Sequence, residues 1–128
     1  MRITLTDIHP TPAQDLSVGF RCAFGDGRGQ WLGPRPQVGQ DYEVELSLED
    51  EFSWNDNLEP CAHGPARLHW DQGALQVSGR LVRVDEDGVA ALAVGPSIIL
   101  LSLRGDPERT PQWVNLRARQ VSLQPIAL

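Results

Sequence analysis

The chain has 128 residues, 41% of them hydrophobic and 22% charged, with 17 acidic side chains against 11 basic ones and a formal net charge of −6. This length is near the commonest domain size and the composition is that of a globular protein, which excludes a disordered tail or a collagen-like fibre. A net negative field repels polyanions, so it argues against nucleic acid or an anionic bilayer as partner and in favour of a basic protein.

Taken in chain order, the sequence shows period-two alternation almost throughout and scarcely any helical periodicity. The start, "MRITLTDIHP", has no apolar run of signal-peptide length, and "RITLTDI" and "SVGFRCAF" read as strands. Between them "TPAQDL" offers one helical turn, with Thr11 as cap and Pro12 at the first helical position. The stretch "GDGRGQW" raises the question of a phosphate cradle, which needs a helix to follow the glycines. Gly33, Pro34 and Pro36 forbid that helix, so Gly25, Gly27 and Gly29 are read as a surface loop of positive-φ glycines.

"DYEVELSL" is a half-buried strand with Tyr42, Val44, Leu46 and Leu48 on one face and Asp41, Glu43, Glu45 and Ser47 on the other. "ARLHWD" turns through Gly73 into "ALQVSGRLVRV", whose inward set Leu75, Val77, Gly79 and Leu81 jumps phase to Val82 and Val84, which predicts a bulge near Arg80 to Val82. The turn "DEDG" leads into "VAALAV", with Gly88 suited to a left-handed conformation. "SIILLSL" is apolar at both parities and is expected to be a central strand covered on each side. After the polar loop "RGDPERTPQ", "WVNLRARQVSL" reads as a bent strand, with Val114, Leu116 and Ala118 inward before a phase change to Val121 and Leu123.

About eight short strands separated by turn signals predict an all-β fold, and the bulges favour a small closed or partly open barrel over a sandwich. The expected organisation is a single domain over 1–128, with residues 1–40 an added N-terminal hairpin and 41–128 the core barrel of OB-like or SH3-like type. The acidic strand ending in a tryptophan, "YEVELSLEDEFSW", with the hairpin "GVAALAVGPSIILLSL", resembles small uncharacterised bacterial all-β proteins over residues 41 to 124; the resemblance implies no activity. The longest apolar block, "VAALAVGPSIILL", is 13 residues broken by Gly95 and Pro96, too short for a membrane span, so a soluble, cytoplasmic protein is expected. In a reducing compartment Cys22 and Cys61 would be free thiols, and the all-arginine basic set reads first as genomic composition bias.

Candidate chemistry is sparse. Cys61 and His63 in "CAH", with His69, Cys22 and His9, have the atom types for zinc but lack paired spacing, and Asp85, Glu86 and Asp87 lack the alternation of a calcium loop. No nucleophile elbow or histidine-paired nucleophile can be read, so neither an enzyme nor a cofactor is expected. Charge layout is more informative. Between residues 41 and 60 stand Asp41, Glu43, Glu45, Glu49, Asp50, Glu51, Asp56 and Glu59, and no arginine.

Glu49, Asp50, Glu51, Asp56 and Glu59 around Trp54 are the expected partner-binding residues, an apolar anchor with an acidic rim for a basic protein, as an immunity protein or inhibitor of a cationic toxin would carry. The alternative is an OB-type face for single-stranded nucleic acid made of Trp113, Asn115, Arg117 and Arg119. If barrel closure set that arginine stripe beside Asp41, Glu43 and Glu45, both stripes would be structural.

Overall fold

The computed structural model describes residues 1–13, 15–105 and 110–126, which form twelve strands. In chain order they are β1 (Arg2–Pro10), β2 (Leu16–Cys22), β3 (Gly25–Trp31), β4 (Asp41–Leu48), β5 (Glu51–Ser53), β6 (Leu58–Pro60), β7 (Arg67–Asp71), β8 (Ala74–Val84), β9 (Val89–Val94), β10 (Ser97–Arg104), β11 (Gln112–Ala118) and β12 (Val121–Pro125). Among the described residues there is no helix, and none long and apolar enough to cross a membrane.

Five strands close a small barrel in the order β12-β4-β1-β2-β3. Neighbours are antiparallel except at the seam, where β12 lies parallel to β3 with Ser122 opposite Gln30 and Leu123 opposite Trp31. Residues 1–40 thus supply β1 to β3, three of the five strands. Alternation fills the interior: Ile3 and Leu5, Val18 and Phe20, and Val44, Leu46 and Leu48 are buried. Each such side chain contributes about 1.5–3 kcal/mol relative to exposure. The Trp31 indole donates to the Pro34 carbonyl at 2.8 Å and meets the Tyr42 ring edge-on, with centroids 5.1 Å apart.

The segment read as a glycine loop is β3, a wall of the barrel. Only Gly25 among its glycines has positive φ, at 139°. Gly27 lies directly across from Phe20, and a Cβ there would stand 2.5 Å from the Phe20 ring; one at Gly29 would stand 2.8 Å from Leu123 and 2.9 Å from the Val121 carbonyl. These glycines let a large aromatic and a neighbouring strand approach the backbone closely, which a sequence pattern built on apolar residues does not register.

The remaining strands continue the same sheet from β3, through the parallel Gly25–Leu68 pairing with β7, into a curved sheet region centred on β8. β11 runs along one edge of β8, while β7 and then β9 share the other. The expected bulge is present: the β8–β9 register shifts between Leu81 and Arg83. β10 follows β9, β5 pairs in parallel with the end of β10, and β6 pairs with β11. The buried side chains of barrel and sheet join in one hydrophobic cluster.

Several local expectations change. The three-residue strands β5 and β6 are too short to show a period. "WVNLRARQVSL" is two strands, β11 in the curved sheet and β12 in the barrel, so its phase change marks a passage between units. "TPAQDL" has a turn at Pro12 and Ala13, with the Thr11 N–H donating to the Asp15 carbonyl at 2.9 Å; Gln14 lies outside the described residues. β10 is covered on one face only: Ile99, Leu101 and Leu103 are buried, but Ile98 and Leu100 are 57% and 56% exposed. The second apolar parity of this strand meets solvent.

Candidate docking surfaces

The predicted acidic group divides into residues held by the fold and residues left open. At the passage from β4 to β5 the Glu49 N–H donates to the Gln120 carbonyl, and the Asp50 carboxylate accepts the backbone N–H groups of Arg119, at 3.0 and 3.1 Å, and of Gln120, at 2.8 Å. Asp50 therefore ties the β4–β5 passage to the β11–β12 passage, and satisfies donors that no ladder reaches. Glu49 accepts from the Ser122 hydroxyl at 3.3 Å. Glu51 receives a two-pronged contact from Arg104, whose Nε and Nη2 meet its two oxygens. That pair is exposed and worth little in stability.

Trp54 is half-buried against the core, and its indole N–H is buried without an acceptor among the described residues. Asp56 and Glu59 are exposed and form no ion pair among the described residues. They line a shallow groove of about 230 Å³ with Asn115 and Arg117, and Glu59 is the cross-strand neighbour of Asn115.

The arginine face is thus interleaved with acids. Asn115 accepts from the Ser78 hydroxyl at 2.6 Å, and a Cβ at Gly64 would stand 2.7 Å from the Trp113 ring, so that indole is backed by the chain before β7. Arg119 lines a polar groove of about 510 Å³ with Glu49, Arg28 and Trp70. The stripe from β4 is not set beside these arginines. Asp41 instead accepts from Arg2 at 3.3 Å and Thr4 at 2.6 Å, and Glu43 meets the Met1 ammonium at 3.1 Å. Hydrogen bonds from Thr4 and then Arg2 hold the Asp41 carboxyl below its ordinary value.

At Asp7, partial burial pushes the carboxyl upward, but bonds from Thr6 and Arg28 outweigh it and the net direction is down. Burial, then Glu59, pushes the Cys61 thiol up, which makes it a poorer nucleophile at neutral pH. His69 lies exposed on β7 and meets Asp26 at 3.2 Å, and Asp85 meets Arg83 at 3.2 Å. Among the described residues no three His, Cys, Asp or Glu side chains gather as a metal-holding group.

One surface was not predicted. Between β4 and β10 lies a groove of about 670 Å³, its walls including Val44, Leu46, Ile98 and Leu100, with Ile126, 47% exposed, beside them. Arg2, Glu43 and Glu45 stand on its rim, and of these Glu45 has no ion pair among the described residues. The signal for it was the run Ile98 to Leu101, apolar at both parities, which pattern alone assigned to burial. Comparison with family models, with curated proteins and with solved structures finds no match.

Proposed function

We propose that this chain is a non-catalytic protein-binding module for a basic partner, and that its docking surface is the acid-rimmed apolar groove between β4 and β10. The observation that carries this reading is the exposure of Ile98 and Leu100, at 57% and 56%, in a groove whose border holds Glu45 without an ion pair among the described residues, beside Arg2 and the Met1–Glu43 pair. Apolar side chains that gain a cover supply affinity, while surrounding carboxylates speed encounter with a cationic surface and reject an anionic one. The chain's net charge of −6 acts in the same direction at longer range. An inhibitor or immunity protein against a cationic protein is the physiological class that suits this surface. Asp56, in the turn before β6, and Glu59, on β6, provide a second acidic site, whereas Glu49 and Asp50 are engaged where the β4–β5 and β11–β12 passages meet and Glu51 is met by Arg104.

The test compares proteins recovered from native cells on the wild-type chain and on an Ile98→Ser/Leu100→Ser chain. A partner of basic isoelectric point, retained by the first and lost by the second, is expected; equal recovery on both overturns the reading. The nucleic-acid alternative is tested separately by titrating a labelled oligonucleotide at about 50 mM salt, where a phosphate-binding surface is near its strongest. Tight binding that falls steeply with salt would favour the Trp113, Arg117 and Arg119 face instead.

A further inference from the structure

The backbone on both sides of the groove is directed into it. In the β9–β10 ladder Leu103 N–H donates to the Gly88 carbonyl, which fixes Leu101, Ile99 and Ser97 as the residues whose backbone groups face β9. By alternation, the N–H and C=O groups of Ile98 and Leu100 point the other way. There β5 pairs only with Ser102, Leu103 and Arg104 of β10, and no strand continues the ladder back along Ser97–Leu101 among the described residues.

The β4 wall repeats the arrangement. Glu49 bonds Gln120 and Glu43 accepts from Ile126, so odd residues of β4 face β12, while Val44 exchanges two bonds with Met1 on the β1 side. Leu46 and Leu48 therefore direct their backbone groups to the side where β1 has already ended at Arg2. β5 follows β4 after two residues and pairs with the end of β10; β4 and β10 themselves approach each other without a ladder, and the groove is lined by both.

Resting on the docking reading above, we infer that the partner enters this groove as an extended strand, pairing its main chain with the free edge of β10 at Ser97–Leu101. A free edge with unspent donors and acceptors is completed by another strand, because water leaves once the flanking apolar side chains are covered. Charge selects which strand. Glu43 is met by the Met1 ammonium and Arg2 by Asp41, which leaves Glu45 as the rim charge without an ion pair among the described residues, so the entering segment carries a lysine or arginine opposite Glu45. Side chains of a strand alternate across the sheet, so the cations form the outward row, their stems over Ile98 and Leu100 and their heads at Glu45, and the alternate, inward row is apolar, on the face of Val44, Leu46, Ile99 and Leu101. A helix could bury the same apolar groups but would leave the β10 edge unpaired.

The experiment uses the whole chain and three synthetic ten-residue peptides: one alternating valine with lysine, the same peptide N-methylated at alternate residues, and one alternating valine with glutamate. Amide exchange and chemical shifts are followed by NMR. The expected result is that the valine–lysine peptide binds and slows exchange of the Ile98 and Leu100 amides at least tenfold. Binding should weaken at least tenfold on N-methylation, with the glutamate peptide, and with a Glu45→Lys chain.

Binding of the N-methylated peptide as tightly as its parent, or binding without protection of those two amides, overturns strand pairing while leaving the groove as a docking surface. Failure of every peptide overturns the inference, with the partner-recovery comparison standing as the separate test of docking. Protection of the same amides that rises with protein concentration and no peptide, together with dimers in sedimentation, overturns it in favour of a second copy as occupant.

Discussion

The seam between β3 and β12 and the gap between β4 and β10 are built from similar materials and end differently. At the seam, Ser122 and Leu123 pair with Gln30 and Trp31, and Gly29 lets β12 come close enough to do so. At the gap, β4 and β10 approach each other without a ladder between them, and Ile98 and Leu100 remain in solvent. A sheet closes where residue size permits approach, and where it does not close it leaves both unspent hydrogen bonds and uncovered apolar surface, which are what a partner needs.

The sharpest way to break this contrast is to open the seam. In Gly29→Val the new Cβ would stand 2.8 Å from Leu123 and 2.9 Å from the Val121 carbonyl. Because backbone is among the atoms in the way, a loss of about 3 kcal/mol, the upper end of the overpacking range, is expected in urea denaturation. A smaller loss of about 1–2 kcal/mol is expected for Asp50→Ala, which strips the Arg119 and Gln120 amides of their acceptor where the two passages meet. If Asp50→Ala leaves stability unchanged while weakening partner binding, the residue belongs to the docking surface and not to the fold.

At the gap the signs reverse: Ile98→Ser/Leu100→Ser should alter stability by no more than about 0.5 kcal/mol, as exposed positions do, while abolishing partner capture. The smallest effect concerns acid. Asp7 and Asp41 have folded values held below the ordinary 3.8, so their contribution is present above that pH and is lost as pH falls through the lowered folded values. Urea midpoints measured from pH 6 to pH 2.5 should fall below about pH 4, and less so in Asp7→Asn than in the wild type. Neither carboxylate belongs to β10, so the groove variant should show the same acid profile as the wild type.

Alternation in "DYEVELSL" was enough to place Val44, Leu46 and Leu48 in the core, and the break in pattern after Leu81 located the bulge, although Val82, expected inward, is 37% exposed. Gly88, with φ of 85°, occupies the left-handed position assigned to it. The phase change after Ala118 was visible too, but not its meaning: it separates a strand of the curved sheet from a strand of the barrel. The site was less legible. Glu49, Asp50 and Glu51 look alike as a charge run, and only the passages beside them decide that one caps backbone amides, one meets a hydroxyl and one meets Arg104.

Sequence by itself determined the all-β class, the inner faces of the longer strands and the turns between them, because each depends on residues a few positions apart. Tertiary structure alone decided that "GDGRGQW" is a barrel wall, since its glycines answer to Phe20, Val121 and Leu123. It alone decided that Ile98 and Leu100 face solvent, since an apolar parity records a preference for cover while the supply of cover depends on strands far away in the chain.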